Sequence, residues 1–240
     1  MRTINLTYTQ CIKFLTLSLQ RLIYKFDIKS EEIFFYDKSH KVYANFRLPL
    51  LLIPILKDKA ENDYLSLSLD IIPSYSIFLI TAGYAALGFC NSGELTLHKT
   101  IQKYIVRKTQ GKAQIKHLRE KGKSREGSRI RLQQTIEFFE EINSKFLEWK
   151  KEIEKSKFIY YHCSIRLMNE MYLSKTKPIF SREDDRLITL PFDIKKPNLK
   201  ELNHVNFLIN SGILSFSDVN NAETAKILSI IDSINSYKNE

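Results

Sequence analysis

The residues best able to do chemistry in this chain are cations. Lys99, Lys103, Arg107, Lys108, Lys112, Lys116, Arg119, Lys121, Lys123, Arg125, Arg129 and Arg131 stand in one stretch against only Glu120 and Glu126. The formal net charge of the chain is +10. Residues 99–131 carry all of it, and the rest of the chain is neutral. So many like charges repel one another unless a polyanion sits among them. Neutralising phosphates releases their condensed counterions, so such a stretch is the electrostatic footprint of nucleic-acid binding. Gly111, Gly122 and Gly127 fall in the same stretch. With the charge and the weak periodicity, they predict an exposed loop over residues 107–128. Loops that long are usually functional or disordered.

Other routes to chemistry are poorly supplied. There is no Gly-x-x-x-x-Gly-Lys-Ser/Thr phosphate loop, no Gly-x-Gly-x-x-Gly fingerprint and no Gly-x-Ser-x-Gly nucleophile elbow. His40, His98, His117, His162 and His204 are scattered singly. Glu183, Asp184 and Asp185 could bind a metal, but such a run is more often a solvated loop. No metal or cofactor is expected. Cys11, Cys90 and Cys163 are far apart and odd in number, which argues against a disulfide framework and fits a reducing cytoplasm.

The elements that must position the basic stretch follow from pattern. At 240 residues with 43% apolar content, the chain suits one domain, or one with an appendage. An amphipathic helix, rather than a signal peptide, is expected over residues 7–27. Strands are expected at 32–36 and 41–48. Pro49 and Pro54 disfavour a central strand or an intact helix over 48–56, and 57–63 reads as a charged loop. Residues 71–93 carry no charged side chain, long enough to cross a bilayer. Pro73, Gly83, Gly88, Gly93 and several polar residues instead predict two buried strands, 76–82 and 84–90, around a turn at Gly83-Tyr84. A turn at Asn91-Ser92-Gly93 and short strands at 94–98 and 101–106 follow. Leu132, Ile136, Phe139, Ile142, Phe146, Trp149 and Ile153 step by three or four, one continuous apolar helix face. Ser128 is expected to cap it. Then come a strand at 157–162, a helix at 165–173, a strand at 187–190, a helix from Pro197 to Leu208 and a last helix over 222–237. Strands alternating with helices predict an α/β fold with a mixed sheet flanked by helices. The expected parts are residues 1–70 of unknown role, a catalytic domain over 71–215 and a C-terminal helix over 216–240.

A family resemblance rests on the basic stretch. Residues 99–114 read Lys-Thr-Ile-Gln-Lys-Tyr-Ile-Val-Arg-Lys-Thr-Gln-Gly-Lys-Ala-Gln. With Gly127, Ser128 and Arg131 beyond a basic linker, they resemble the signature of the Vms-like release factor family. The matching positions are Lys99, Thr100, Tyr104, Arg107, Gln110, Gly111 and Gln114. Asp185-Arg186-Leu187, Leu190-Pro191-Phe192 and Pro197 resemble the family as well, so the likeness covers roughly residues 75–210. Eukaryotic members include an ankyrin-repeat and zinc-finger peptidyl-tRNA hydrolase, whose repeats and zinc finger have no counterpart here. The family is similar to the central domain of eukaryotic class I release factors, which carries Gly-Gly-Gln in an exposed loop. The resemblance implies a ribonuclease-H-like α/β domain whose loop enters the peptidyl-transferase centre of the large ribosomal subunit. There it would meet ribosomal RNA and free a stalled nascent chain from peptidyl-tRNA, as part of ribosome-associated quality control. Two chemistries are implied, ester hydrolysis and cleavage within the tRNA 3′ CCA end. A non-catalytic RNA-binding module is the alternative.

Residue chemistry suits Gln114 to either reaction. A glutamine cannot act as a general base near neutrality, but its amide can orient a water or a ribose hydroxyl. Its backbone N–H can stabilise a developing oxyanion. Gly111 would allow close approach of the backbone to RNA, and Arg107 and Lys108 would neutralise phosphate. Tyr104 suits either packing on the sheet or stacking on a base. Gln110, Lys112, Lys116, Arg119, Lys121, Lys123, Arg125, Arg129 and Arg131 complete the expected RNA-binding set. Lys112-Ala113 stands where release factors have Gly-Gly. The chain therefore lacks two consecutive flexible positions, which leaves phosphodiester cleavage open beside hydrolysis.

Overall fold

The structure is a computed structural model and describes residues 2–27, 29–57, 72–103, 123–217 and 222–236, with the backbone alone over 123–131. The chain divides into two compact units, residues 1–72 with 207–240, and residues 73–206. Residues 207–240, split at 215 in the division expected from sequence, group with residues 1–72.

The first unit is a five-stranded antiparallel sheet ordered β1-β10-β4-β3-β2. Its strands are β1 (Arg2–Thr7), β2 (Ile23–Asp27), β3 (Glu32–Tyr36), β4 (Val42–Arg47) and β10 (Ser211–Phe216). Helix α1 (Tyr8–Leu19) starts at a capping box: the Thr7 N–H donates to Gln10 Oε1 at 2.9 Å, and the Gln10 N–H donates to Thr7 Oγ1 at 3.5 Å. Phe14 of α1 meets Phe35 at 5.8 Å and Phe46 at 5.2 Å, both edge to face. The helix expected over 7–27 is thus corrected at both ends. Residues 23–27 leave it because they pair with β3, Ile23 opposite Tyr36 and Phe26 opposite Ile33. The apolar stretch 48–56 leads into the short helix α2 (Leu52–Lys57). Pro54 fits its first turn, where the missing N–H would have had no helical acceptor. Helix α7 (Ala222–Ser236) touches α1 through a Gln10–Asn235 side-chain hydrogen bond of 2.8 Å.

The second unit holds a sheet ordered β7-β6-β5-β8-β9. Strands β5 (Tyr75–Thr81), β6 (Tyr84–Asn91) and β7 (Glu94–Gln102) form an antiparallel meander. Strands β8 (Phe158–His162) and β9 (Leu187–Thr189) then run parallel to β5. The charge-free stretch is therefore the buried hairpin expected, and no described helix is long and apolar enough to cross a membrane. Ser92 and Gly93 both have positive φ, 51° and 83°, as a two-residue type I′ turn requires. The two short strands expected after it are one: β7 is a sheet edge, so Lys99 and Thr100 sit half-exposed and exposed in a continuous ladder rather than in a break.

Helix α3 (Lys123–Glu148) and the short α4 (Lys150–Lys155) lie on one face of this sheet. Phe138, Phe139, Ile142, Phe146, Trp149 and Ile153 are buried there with Phe78, Leu87, Ile101, Ile159 and Phe180. Phe78, Phe146 and Phe180 form an aromatic trio with centroids 4.5–5.7 Å apart. The apolar face expected from Leu132 onward is shorter than its periodicity suggests. Leu132 and Ile136 are 63% and 55% exposed, because Ile101 is the last buried residue of β7 and no core residue among the described ones covers the early turns. The expected Ser128 cap is also corrected. The helix begins at Lys123, and Ser128 lies inside it.

Helices α5 (Ile165–Leu173) and α6 (Leu199–Asn210) complete the described elements. Pro197 precedes α6 rather than opening it, and Asn198 caps it by accepting the Glu201 N–H at 2.9 Å. Asn206 of α6 accepts hydrogen bonds from the Tyr75 hydroxyl and from Cys90 Sγ at 3.3 Å, and donates to the Gly93 carbonyl at 3.0 Å. One side chain thereby joins helix, two strands and the β6–β7 turn. Asn206→Ala should lower the unfolding free energy in urea by about 2 kcal/mol, since it strips partners from buried groups. An unchanged urea midpoint would contradict this.

Candidate nucleic-acid interface

Strand β7 delivers the chain to the basic segment. The ladder runs past its last residue, with the Lys103 N–H donating to the Gly83 carbonyl at 2.9 Å. Alternation along the strand turns Lys99 and Ile101 to the α3 side of the sheet. Ile101 is buried in the core, while Lys99 reaches Glu141 of α3 at 3.4 Å. Lys103 meets the same Glu141 at 3.4 Å and Glu137 at 3.9 Å. Glu137 also accepts from the side-chain amides of Gln133 at 2.9 Å and Gln134 at 3.1 Å. A polar lattice along two turns of α3 thus grips the end of β7.

This changes the charge picture drawn from sequence. Lys99 and Lys103 already have carboxylate partners from outside the basic segment, so they do not wait for a polyanion. The two acids were missed because they sit far along the chain. Their signal is the i,i+4 spacing of Gln133, Glu137 and Glu141 on one helix face. Tyr104, Arg107, Lys108, Gln110, Gly111, Lys112, Gln114, Lys116, Arg119 and Lys121 lie outside the described residues. Lys123, Arg125, Arg129 and Arg131 belong to the first turns of α3. The loop expected over 107–128 is therefore corrected at its end, where residues 123–128 are helical. Lys, Arg and Glu favour a helix enough to carry Gly127 within it.

Alternative chemistries find little among the described residues. Burial pushes the Cys11, Cys90 and Cys163 thiols up to about 12, so none is a ready thiolate nucleophile near neutrality. All three are free thiols. No group of three or more His, Cys, Asp or Glu side chains is arranged to hold a metal ion among the described residues. Asp184 is engaged by Arg186 in a two-pronged pair of 2.9 and 2.7 Å, which holds its carboxyl below the usual carboxylate range.

A family model described as the Bacteroidetes VLRF1 release factor matches residues 75–213. The chain belongs to this family. The VLRF1 match runs from β5 into β10 and takes in the whole basic segment. The tRNA endonuclease vms-1 of Caenorhabditis elegans is 30% identical over 129 residues, which are 53% of this chain and 21% of that protein. The chain thus spans about a fifth of that relative's length. A solved structure, the Vms1 mitochondrial localization core, superposes with a TM-score of 0.46 at 12% identity, covering 87% of this chain and 93% of the other.

Two features inside the VLRF1 match shape its scaffold. Arg186, part of the family-like Asp-Arg-Leu, donates to the carbonyls of Ile153 and Ser156 at 2.9 and 3.3 Å, fastening the end of α4 beside β9. Its role in the fold is a clamp. Glu140 and Asn143 of α3 hold the turn after α5. Glu140 accepts from Ser174 Oγ at 2.9 Å and from the Lys175 and Thr176 amides, while Asn143 donates to the carbonyls of Met171 and Thr176 at 2.8 and 2.7 Å. Hydrogen bonds from Thr176, then Ser174 and Lys175, draw the Glu140 carboxyl down to about 2. A lowered folded-state value means stability that is present above the ordinary value of 4.5 and lost as pH falls toward 2. In thermal melts, the parent should outlast Glu140→Gln above about pH 5 and lose that advantage by about pH 2. A Tm difference independent of pH would contradict the assignment.

Proposed function

We propose that this chain acts as a ribosome-associated release factor that frees stalled nascent chains by cleaving peptidyl-tRNA on the large ribosomal subunit. The observation that carries the reading is the VLRF1 family match over residues 75–213, which contains the motif from Lys99 to Gln114 and the basic segment. The sheet order, three antiparallel strands followed by two parallel ones, supports the ribonuclease-H-like reading of the domain. The three free thiols fit the reducing cytoplasm where ribosomes work.

In this reading the segment's cations neutralise phosphates of ribosomal RNA and of the tRNA end, and positioning supplies most of the rate. Gln114 orients the attacking oxygen, and Gly111 lets the backbone approach. That oxygen is a water in ester hydrolysis or a ribose hydroxyl in phosphodiester cleavage. Two observations favour the second chemistry enough to keep it beside the first. A relative at 30% identity is named a tRNA endonuclease, and Lys112-Ala113 replaces two flexible glycines before Gln114.

Purified protein mixed with large subunits carrying labelled peptidyl-tRNA tests the proposal. Free peptide with an intact tRNA 3′ end means ester hydrolysis. Peptide still joined to a few nucleotides, with a shortened tRNA, means cleavage in the CCA end. Tight, salt-sensitive binding that leaves peptidyl-tRNA whole means the chain is an RNA-binding module and not an enzyme.

A further inference from the structure

The lattice between β7 and α3 has no evident structural necessity. Its members are partly exposed, Lys103 at 27% and the others at 36–40%. Exposed ion pairs contribute little to stability, and the aromatic core beneath buries strand and helix against each other. Yet the lattice is built with care. One carboxylate, Glu141, serves two lysines, and a second, Glu137, is oriented by two glutamines. It sits along the end of β7, over the first residues of the family motif.

We propose that Glu141, supported by Glu137, is a positioning residue for the motif. It holds Lys99 and Lys103 against α3, so that the chain enters residue 104 from a fixed point. This rests on the release-factor reading above. Two consequences follow from the charges. A reaction that depends on placement loses rate when its anchor moves, and a misplacement of about 1 Å can cost on the order of 100-fold. The same acids also withhold two cations from RNA. Removing them should tighten binding and steepen its salt dependence while slowing the chemical step. General damage to the fold would weaken both.

The test compares the parent with the double variant Glu137→Gln/Glu141→Gln and with Glu141→Asp, using the full chain on large subunits carrying peptidyl-tRNA. The double variant should keep its Tm, lose on the order of tenfold in kcat and show no rise in KM. Glu141→Asp keeps the charge and should recover most of the rate. An unchanged kcat overturns the proposal, as does a fall in kcat accompanied by a higher KM or a lower Tm. If the parent binds subunits but releases nothing, the release-factor reading fails on its own. In that case the binding arm decides. Freed lysines should steepen the slope of log affinity against log salt by about 0.9 for each phosphate newly contacted. A slope equal to the parent's overturns the positioning role.

Discussion

Gln114→Ala should abolish most peptide release while leaving subunit binding intact. The substitution removes an amide and adds no charge, so the electrostatic attraction of the surrounding cations is untouched. In the proposed role, what is lost is the group that would orient the attacking oxygen. Single groups of this kind are worth on the order of 100- to 1,000-fold in rate. Single-turnover release on stalled large subunits, with protein in excess, would read the loss directly. Co-sedimentation at the same salt would show unchanged affinity. A variant that releases peptide as fast as the parent would remove Gln114 from the chemistry. Gln114→Glu is informative beside it. It keeps the shape but sets a negative charge among phosphates, so it should lose both affinity and rate.

The second large effect is expected from Lys121→Ala, Lys123→Ala and Arg125→Ala combined. If each cation neutralises one phosphate, the slope of log affinity against log salt falls by about 2 to 3. At about 0.15 M salt that weakens subunit binding on the order of 50-fold. The two experiments are complementary, since one variant binds without reacting and the other scarcely binds. Release by the triple variant should return at high protein concentration, because its Gln114 is intact. Affinity unchanged across a salt titration would show that the charge serves something other than RNA.

Much of the scaffold was legible where a local pattern had a local partner. The charge-free stretch became the β5–β6 hairpin because Gly83 turns it at positive φ, and Gly93, also at positive φ, turns β6 into β7. The apolar period held from Phe139 of α3 to Ile153 of α4 because a core lies beneath those turns. The strands that escaped notice depend on remote partners. β1 pairs with β10 across nearly the whole chain, Ile4 opposite Leu214. β10 contains Gly212, which reads as a turn residue. In fact a Cβ there would lie 2.5 Å from the Phe46 ring and 2.7 Å from Cys11 Sγ, so only glycine lets the strand pass. Residues 23–27 continued a helical pattern, and only pairing with β3 explains their extended form.

The candidate site divides in the same way. Its cations could be read directly from residue types and spacing, whereas Gln110, Gly111 and Gln114 stand as candidates only through the family resemblance. Its anchoring acids could not, because Glu137 and Glu141 look like ordinary exposed helix residues until β7 is laid beside them. The charge of +10 likewise gained a boundary. Lys99 and Lys103 are answered within the protein, and the cations beyond them remain the candidates for phosphate.

The most direct measurement is the fate of peptidyl-tRNA on purified large subunits after the protein is added in excess, followed by gel electrophoresis. The peptidyl-tRNA band should disappear within the time that bound protein persists, and peptide should appear in its place. A band that stays intact while the protein co-sediments with the subunit would contradict the account.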